Sequence, residues 1–227
     1  AKQFRKSLTE AHALRSGENP HQKGVFFGDP DRAFVQLHGK EISYNNVLDI
    51  ESAINLIDEF SEVTCAVIKH NNACGVASRP ALKEAWEDAL ACDSVSAYGG
   101  VVIVNREIDD TTATEMDKIF LEVVMAPSFT PGAVKILSSK KNRIILRRRS
   151  TGSDKESFRS MLGGVLWQER DTSTEEASGM RPVTTRQPTV EEYDDMVFAN
   201  KIVKHSRSNA IVLAKGQQLC ASGIGQT

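Results

Sequence analysis

Lys69 and His70 stand side by side at the end of an apolar run, residues 64–69 (TCAVIK), and run into Asn71-Asn72-Ala73-Cys74-Gly75. Lysine supplies a fixed cation and histidine a group that titrates near neutrality, a pairing suited to holding an anion and moving a proton. In an extended strand neighbouring side chains point to opposite faces, so the chain must twist before both reach one ligand. The plain alternative is a surface pair with no joint role. Three further stretches carry polar groups among glycines or at junctions. Arg15 opens Arg15-Ser16-Gly17-Glu18-Asn19-Pro20-His21-Gln22, where a guanidinium is placed to fork onto a phosphate or carboxylate, or the segment is simply a polar loop. Asp93-Ser94-Val95-Ser96-Ala97-Tyr98-Gly99-Gly100 has small residues that let a ligand approach backbone amides, with Tyr98 as a ring face. It reads equally well as a tight helix-to-strand connection. Asn209, in His205-Ser206-Arg207-Ser208-Asn209, offers a donor and an acceptor where a helix meets a strand, or only a cap.

Several chemistries lack their residues. GxGxxG, GxxxxGK[ST], GxSxG and HExxH are absent. The zinc-deaminase pattern needs His-x-Glu and Pro-Cys-x-x-Cys, whereas Asn72 stands two after His70 and Cys74 is alone. Cys65, Cys74, Cys92 and Cys220 include no pair two to four residues apart, so no metal is expected and the thiols read as free and buried. A net charge of -2 gives no global field for nucleic acid or a membrane surface. Arg147-Arg148-Arg149 reads as a solvated edge. No apolar run approaches membrane-spanning length and no leader pattern opens the chain, so a cytoplasmic location is expected.

The elements that must position these residues alternate in type. Residues 64–69, 101–104 (VVIV), 122–126 (EVVMA) and 143–146 (RIIL) read as strands. Residues 80–90, 112–120 and a segment opened by Thr130-Pro131 read as helices. That alternation predicts an α/β lobe with a largely parallel sheet, whose ligands would gather beyond the strand carboxyl ends. After Leu146, residues 150–158 and 171–187 read as loops. Thr189 and Glu192 form a capping box that starts a helix running to about His205. Residues 209–214 (NAIVLA) then make a strand, with 217–222 as a hairpin partner whose apolar faces need cover. The chain closes on Gly223-Ile224-Gly225-Gln226-Thr227, a glycine-rich turn expected to lead into a further part of the domain.

Eight stretches, in order, resemble one family: RSGENPHQ (15–22), ISYNN (42–46), VIKHNNACGVA (67–77), DSVSAYGG (93–100), NREID (105–109), EVVMAPSF (122–129), ILSSKKN (136–142) and KHSRSNAIVLAKG (204–216). The family is the AICAR transformylase domain of the bifunctional purine-biosynthesis enzymes that also carry IMP cyclohydrolase. The resemblance implies formyl transfer from 10-formyltetrahydrofolate to the 5-amino group of AICAR, giving FAICAR, in a homodimer whose site crosses the interface. It implies catalytic roles for Lys69, His70 and Asn209. Substrate contacts would come from Arg15 at the phosphate, Asn46 and Glu122 at the base or ribose, and Tyr98 with Gly99 along the pocket. Ser16 stands where the family usually has an aromatic residue, and Glu122 where aspartate is common. The implied fold is a cytidine-deaminase-like three-layer lobe over residues 1–150, a helical connecting segment over 151–207 and the truncated start of a second lobe over 208–227. The cyclohydrolase domain is not among these residues. The competing expectation is a non-catalytic nucleotide-binding or oligomerising fragment.

Overall fold

In the computed structural model, which describes residues 3–149 and 155–225, an N-terminal arm comes first. It forms the hairpin β1 (Ala11–Leu14) and β2 (Gly24–Phe27), then β3 (Phe34–His38). Ser43 caps α1 (Tyr44–Ile57) through a reciprocal box with Asn46. β4 (Thr64–Lys69) turns straight into β5 (Asn72–Ser78), and α2 (Leu82–Cys92) and the short α3 (Ser94–Ala97) lead to β6 (Val101–Val104). Asp109 caps α4 (Asp110–Met116) before β7 (Val123–Ala126). Thr130 caps α5 (Pro131–Leu137) before β8 (Ile144–Arg148). A second hairpin, β9 (Glu156–Met161) with β10 (Gly164–Glu169), precedes α6 (Val190–Lys204). The last described elements, β11 (Ala210–Ala214) and β12 (Leu219–Ile224), pair antiparallel.

Six strands form the central sheet in the order β3-β8-β7-β6-β4-β5. Only β6-β7 and β7-β8 run parallel; β4 is antiparallel to both β5 and β6, and β3 to β8. The sheet is therefore mixed rather than largely parallel. A strand buried on both faces shows a continuous apolar run whichever way its neighbours point, so TCAVIK carries no mark of its direction. The turn decides it. His70 (φ 53°) and Asn71 (φ 65°) both occupy the left-handed region, which closes a two-residue hairpin matched to strand twist.

Alternation along the strands builds two cores. Ala66, Ile68, Val101 and Ile103 face α1 and α6, meeting Ile50, Leu56, Phe198 and Ile202. Cys65, Val67, Val102 and Val104 face α2, α4 and α5, meeting Trp86, Ala89, Met116 and Leu137. Each large side chain so buried contributes about 1.5–3 kcal/mol. Helix, sheet and helix make the three-layer lobe that the family resemblance implies.

The stretch before Thr64, given no element from sequence, holds β1 to β3 and α1. The expected loop over 150–158 falls partly on residues 150–154, outside the described residues, as does the predicted boundary at 150/151; from Glu156 the chain is a strand. The closing residues 226–227 also lie outside. Among the thiols, Cys65 is buried but Cys220 is exposed, against the expectation of burial throughout. No helix among the described residues is long and apolar enough to cross a membrane.

The hairpin of β11 and β12 forms as read, and one of its faces is covered. Leu219 is buried, and Val212 and Ala214 pack on the core. Arg79 ties the hairpin down: its Nε donates to Asp88 at 2.5 Å, and Nη1 to the Gly216 carbonyl at 2.8 Å. Asp195 on α6 accepts the Gly216 and Gln217 amides at 2.9 and 2.8 Å. Ile211 and Leu213 remain outside this contact, 70% and 60% exposed.

Candidate functional site

The β4–β5 turn places Lys69 and His70 differently. Lys69 ends β4 and its Nζ donates to the Tyr98 carbonyl at 2.8 Å. His70 is in the turn itself, exposed, with its carbonyl accepting from Asn72 Nδ2 at 2.9 Å. The twist that the sequence requires is supplied by the left-handed pair. Behind the turn, Asp49 of α1 accepts the Asn71 backbone amide at 2.7 Å. Burial raises the Asp49 carboxyl, opposed by that amide and by the charge of His70. A cavity of about 650 Å³ opens beside the turn, lined by Lys69, His70, Cys74, Asp93, Ser94 and Ser222 among others. Hydrogen bonds from Ser96 hold the Asp93 carboxyl below its ordinary range, so an anion faces Lys69 across this space. Burial pushes the Cys74 thiol up to about 11, which leaves it neutral and no nucleophile.

Gly75 fixes this corner to α2, since a Cβ there would stand 2.0 Å from the Ala89 carbonyl oxygen. Gly99 (φ 73°) donates its amide to the Phe120 carbonyl at 2.8 Å, and the Tyr98 ring, largely exposed, tilts against Phe120 at 5.3 Å.

A second cluster shares the 98–100 segment, because the Glu122 amide bonds the Gly100 carbonyl at 3.1 Å. Glu122 Oε1 meets Lys40 Nζ at 2.6 Å and Arg15 Nη2 at 3.9 Å. Arg15 is held against the start of α1 by its amide bond to the Ile42 carbonyl and by Tyr44 to Ser16, both 3.0 Å. Asn46 is buried; its Oδ1 accepts from the Ser43 amide and hydroxyl at 3.0 and 2.9 Å. Its Nδ2 makes no hydrogen bond among the described residues. The two cations around one carboxylate make this cluster net positive, suited to a phosphate or carboxylate.

Tyr98 and Gly99 precede β6 and Glu122 precedes β7, so they stand at the amino ends of the parallel strands, not at the carboxyl ends. Lys69 joins them because β4 runs the other way. The antiparallel direction of β4, which its sequence does not mark, is what gathers the site.

Asn209 is exposed on the connection from α6 to β11, its carbonyl accepting the Gly225 amide at 3.1 Å. Among the described residues no hydrogen bond joins its side chain to Lys69 or His70. Its neighbour Arg207 makes the link. With the Asn71 amide oriented to satisfy both partners, its nitrogen donates to Asp49 at 2.9 Å and its oxygen accepts from Arg207 Nη2 at 3.2 Å. Sequence reasoning gave no role to Asp49, Lys40 or Arg207; the Ser43–Asn46 spacing was the one signal that α1, and so Asp49, began there. A larger cavity of about 880 Å³, between the arm and α1, holds none of the predicted site residues.

The fold is an α/β lobe with a lysine–histidine turn and a cluster of two cations around one carboxylate at one end of the sheet. Over residues 1–227 the sequence matches the family model of the AICARFT/IMPCHase bienzyme, and the chain belongs to that family. It is 58% identical over 224 residues to the bifunctional purine biosynthesis protein PurH of Bacteroides thetaiotaomicron, covering 99% of this chain and 44% of that protein. Proteins of the same name from Acetivibrio thermocellus and Caldicellulosiruptor bescii are 45% and 43% identical over 94% and 100% of the chain, and 44% and 46% of their own lengths. The chain spans less than half the length of these relatives.

Proposed function

We propose that this chain carries part of the site for formyl transfer from 10-formyltetrahydrofolate to the 5-amino group of AICAR, giving FAICAR in purine biosynthesis. The observation that carries the reading is the shared 98–100 segment, which joins the Lys69–His70 turn to the Arg15–Lys40–Glu122 cluster. One cluster suits a nucleotide phosphate or base edge, and the other suits proton transfer. The aromatic amine is a weak nucleophile because its lone pair delocalises into the ring bearing the carboxamide. Its nitrogen attacks the formyl carbon, and His70 takes the proton that the nitrogen must lose. Lys69 stabilises the negative charge that develops, with Asn209 orienting the formyl oxygen. The bond from carbon to the folate nitrogen then breaks, and the proton held by His70 is delivered to that nitrogen with Lys69 assisting, so the imidazole is restored. Arg15 holds the phosphate, Asn46 donates through its Nδ2, Glu122 accepts from the base or ribose, and Tyr98 and Gly99 wall the pocket.

In this reading residues 1–150 form the first lobe, 151–207 the connecting segment and 208–227 the opening of a second lobe. Further contacts, some across a homodimer interface, come from other parts of the protein. The chain spans less than half of its relatives, which equally supports a nucleotide-binding part without turnover of its own. Steady-state assay with 10-formyltetrahydrofolate and AICAR tests the formyl-transfer reading. Formyl transfer by the full-length protein, with this chain alone more than tenfold slower, is expected; a full-length protein without formyl transfer overturns the reading.

A further inference from the structure

Asp49 sits where α1 passes beneath the β4–β5 turn, and its contacts converge on the residue next to His70. Oδ1 accepts the Asn71 backbone amide at 2.7 Å and the Asn71 side-chain nitrogen at 2.9 Å. The Asn71 oxygen in turn accepts from Arg207 at 3.2 Å, and the Arg207 amide reaches Asn72 Oδ1 at 3.5 Å. Asn72 closes the ring by donating to the His70 carbonyl at 2.9 Å. The backbone around His70 is thus fixed from α1 on one side and from the Asn209 connection on the other. The imidazole itself is left exposed.

We propose that Asp49 is a positioning residue for His70, fixing the turn that presents the imidazole and stabilising the imidazolium as it takes the amine proton. The inference rests on the reading of His70 as proton acceptor. Two features favour it over a role in folding alone. Both turn residues are left-handed and non-glycine, a conformation that persists when its surroundings hold it, and Asp49 supplies the buried side of that hold. Its charge also serves stability poorly. Burial raises the carboxyl more than the Asn71 amide and His70 together lower it, so ionisation of Asp49 costs stability in the folded protein. An asparagine of the same shape would accept the same amide without that cost. The charge itself has one beneficiary among its partners. His70 is the one group whose positive charge acts on Asp49, so a carboxylate here stands ready to offset the charge that the imidazole gains when it takes the amine proton.

The variant that separates charge from shape is Asp49→Asn, with Asp49→Ala removing both. In the full-length protein, Asp49→Asn is expected to lower kcat for formyl transfer about tenfold, the size of one charge–charge interaction at a half-exposed site. KM for AICAR should stay within about twofold and the thermal midpoint should not fall. In ¹⁵N NMR of this chain at fixed pH, the His70 ring nitrogen resonances should move in Asp49→Asn. The Asn71 amide resonance should move in Asp49→Ala. A kcat within twofold of the unsubstituted protein overturns the proposal, as does loss of kcat only in step with a lowered midpoint. If the full-length protein shows no formyl transfer at all, the reaction assignment falls, and the NMR arm still decides Asp49. His70 and Asn71 signals unchanged in both variants would refute its placement.

Discussion

Gly75→Ala sets two known effects against each other at the corner that carries the β4–β5 turn. Alanine is favoured over glycine within a strand by roughly 0.5–1 kcal/mol, through the freedom that the unfolded chain loses. The new Cβ, however, would stand 2.0 Å from the Ala89 carbonyl oxygen, a backbone atom in α2 that cannot rotate away. Carbon and oxygen approach no closer than roughly 3.3 Å, so β5 and α2 must part by about 1.3 Å. Overpacking of that kind costs typically about 1–3 kcal/mol, with the upper part of the range expected where backbone meets backbone. The steric cost outweighs the gain, leaving a net loss of about 1–2 kcal/mol. At roughly 2–4 °C per kcal/mol for a chain of this size, the thermal midpoint should fall by about 2–8 °C. Trp86 lies on α2 and is 1% exposed, so with Trp167 replaced by Phe its fluorescence in urea titration reports this interface. A midpoint equal to or above that of the unsubstituted chain would refute the packing of α2 on β5, and with it the support under the turn.

Other expectations follow from the same geometry. Burial alone would raise the Glu59 carboxyl, but hydrogen bonds from Lys204 and His205 hold it below the ordinary value of 4.5. A lowered folded value means stabilisation that is present above 4.5 and lost as pH falls through the folded value, so acid should unfasten the end of α6. Glu59→Gln should flatten that part of the stability–pH profile; an unchanged slope would remove Glu59 from it. Arg15→Ala in the full-length protein should weaken AICAR binding about tenfold or more by calorimetry, because hydrogen bonds between charged groups contribute about 1.5–3 kcal/mol. The dephosphorylated nucleoside should lose far less, and equal losses would exclude a phosphate contact.

The sequence was most legible where one element explains one pattern. VVIV and TCAVIK read as buried strands because both faces are covered, and Thr189 with Glu192 marked the start of α6 by their capping chemistry. Direction was not legible, since it depends on a hairpin whose left-handed residues are His70 and Asn71 rather than an Asn-Gly pair. The hairpin of β9 and β10 escaped for a different reason: nearly all of its residues are exposed, so no alternation marks a buried face. Of the site, Lys69, Tyr98, Gly99 and Glu122 come together at one end of the sheet, through the Lys69 side chain and the backbone bonds of the 98–100 segment. Asp49 and Lys40 could not be found by spacing, because their partners lie 22 and 82 residues away and meet them only through the fold.

The most direct test of the central claim is kcat for formyl transfer in the full-length protein carrying His70→Ala, measured beside AICAR affinity. A positioned acid–base group contributes roughly 10²–10⁴-fold, so kcat should fall by about that factor while the dissociation constant for AICAR stays within a few-fold. A variant that keeps near-normal kcat would contradict the account and take His70 out of the chemistry.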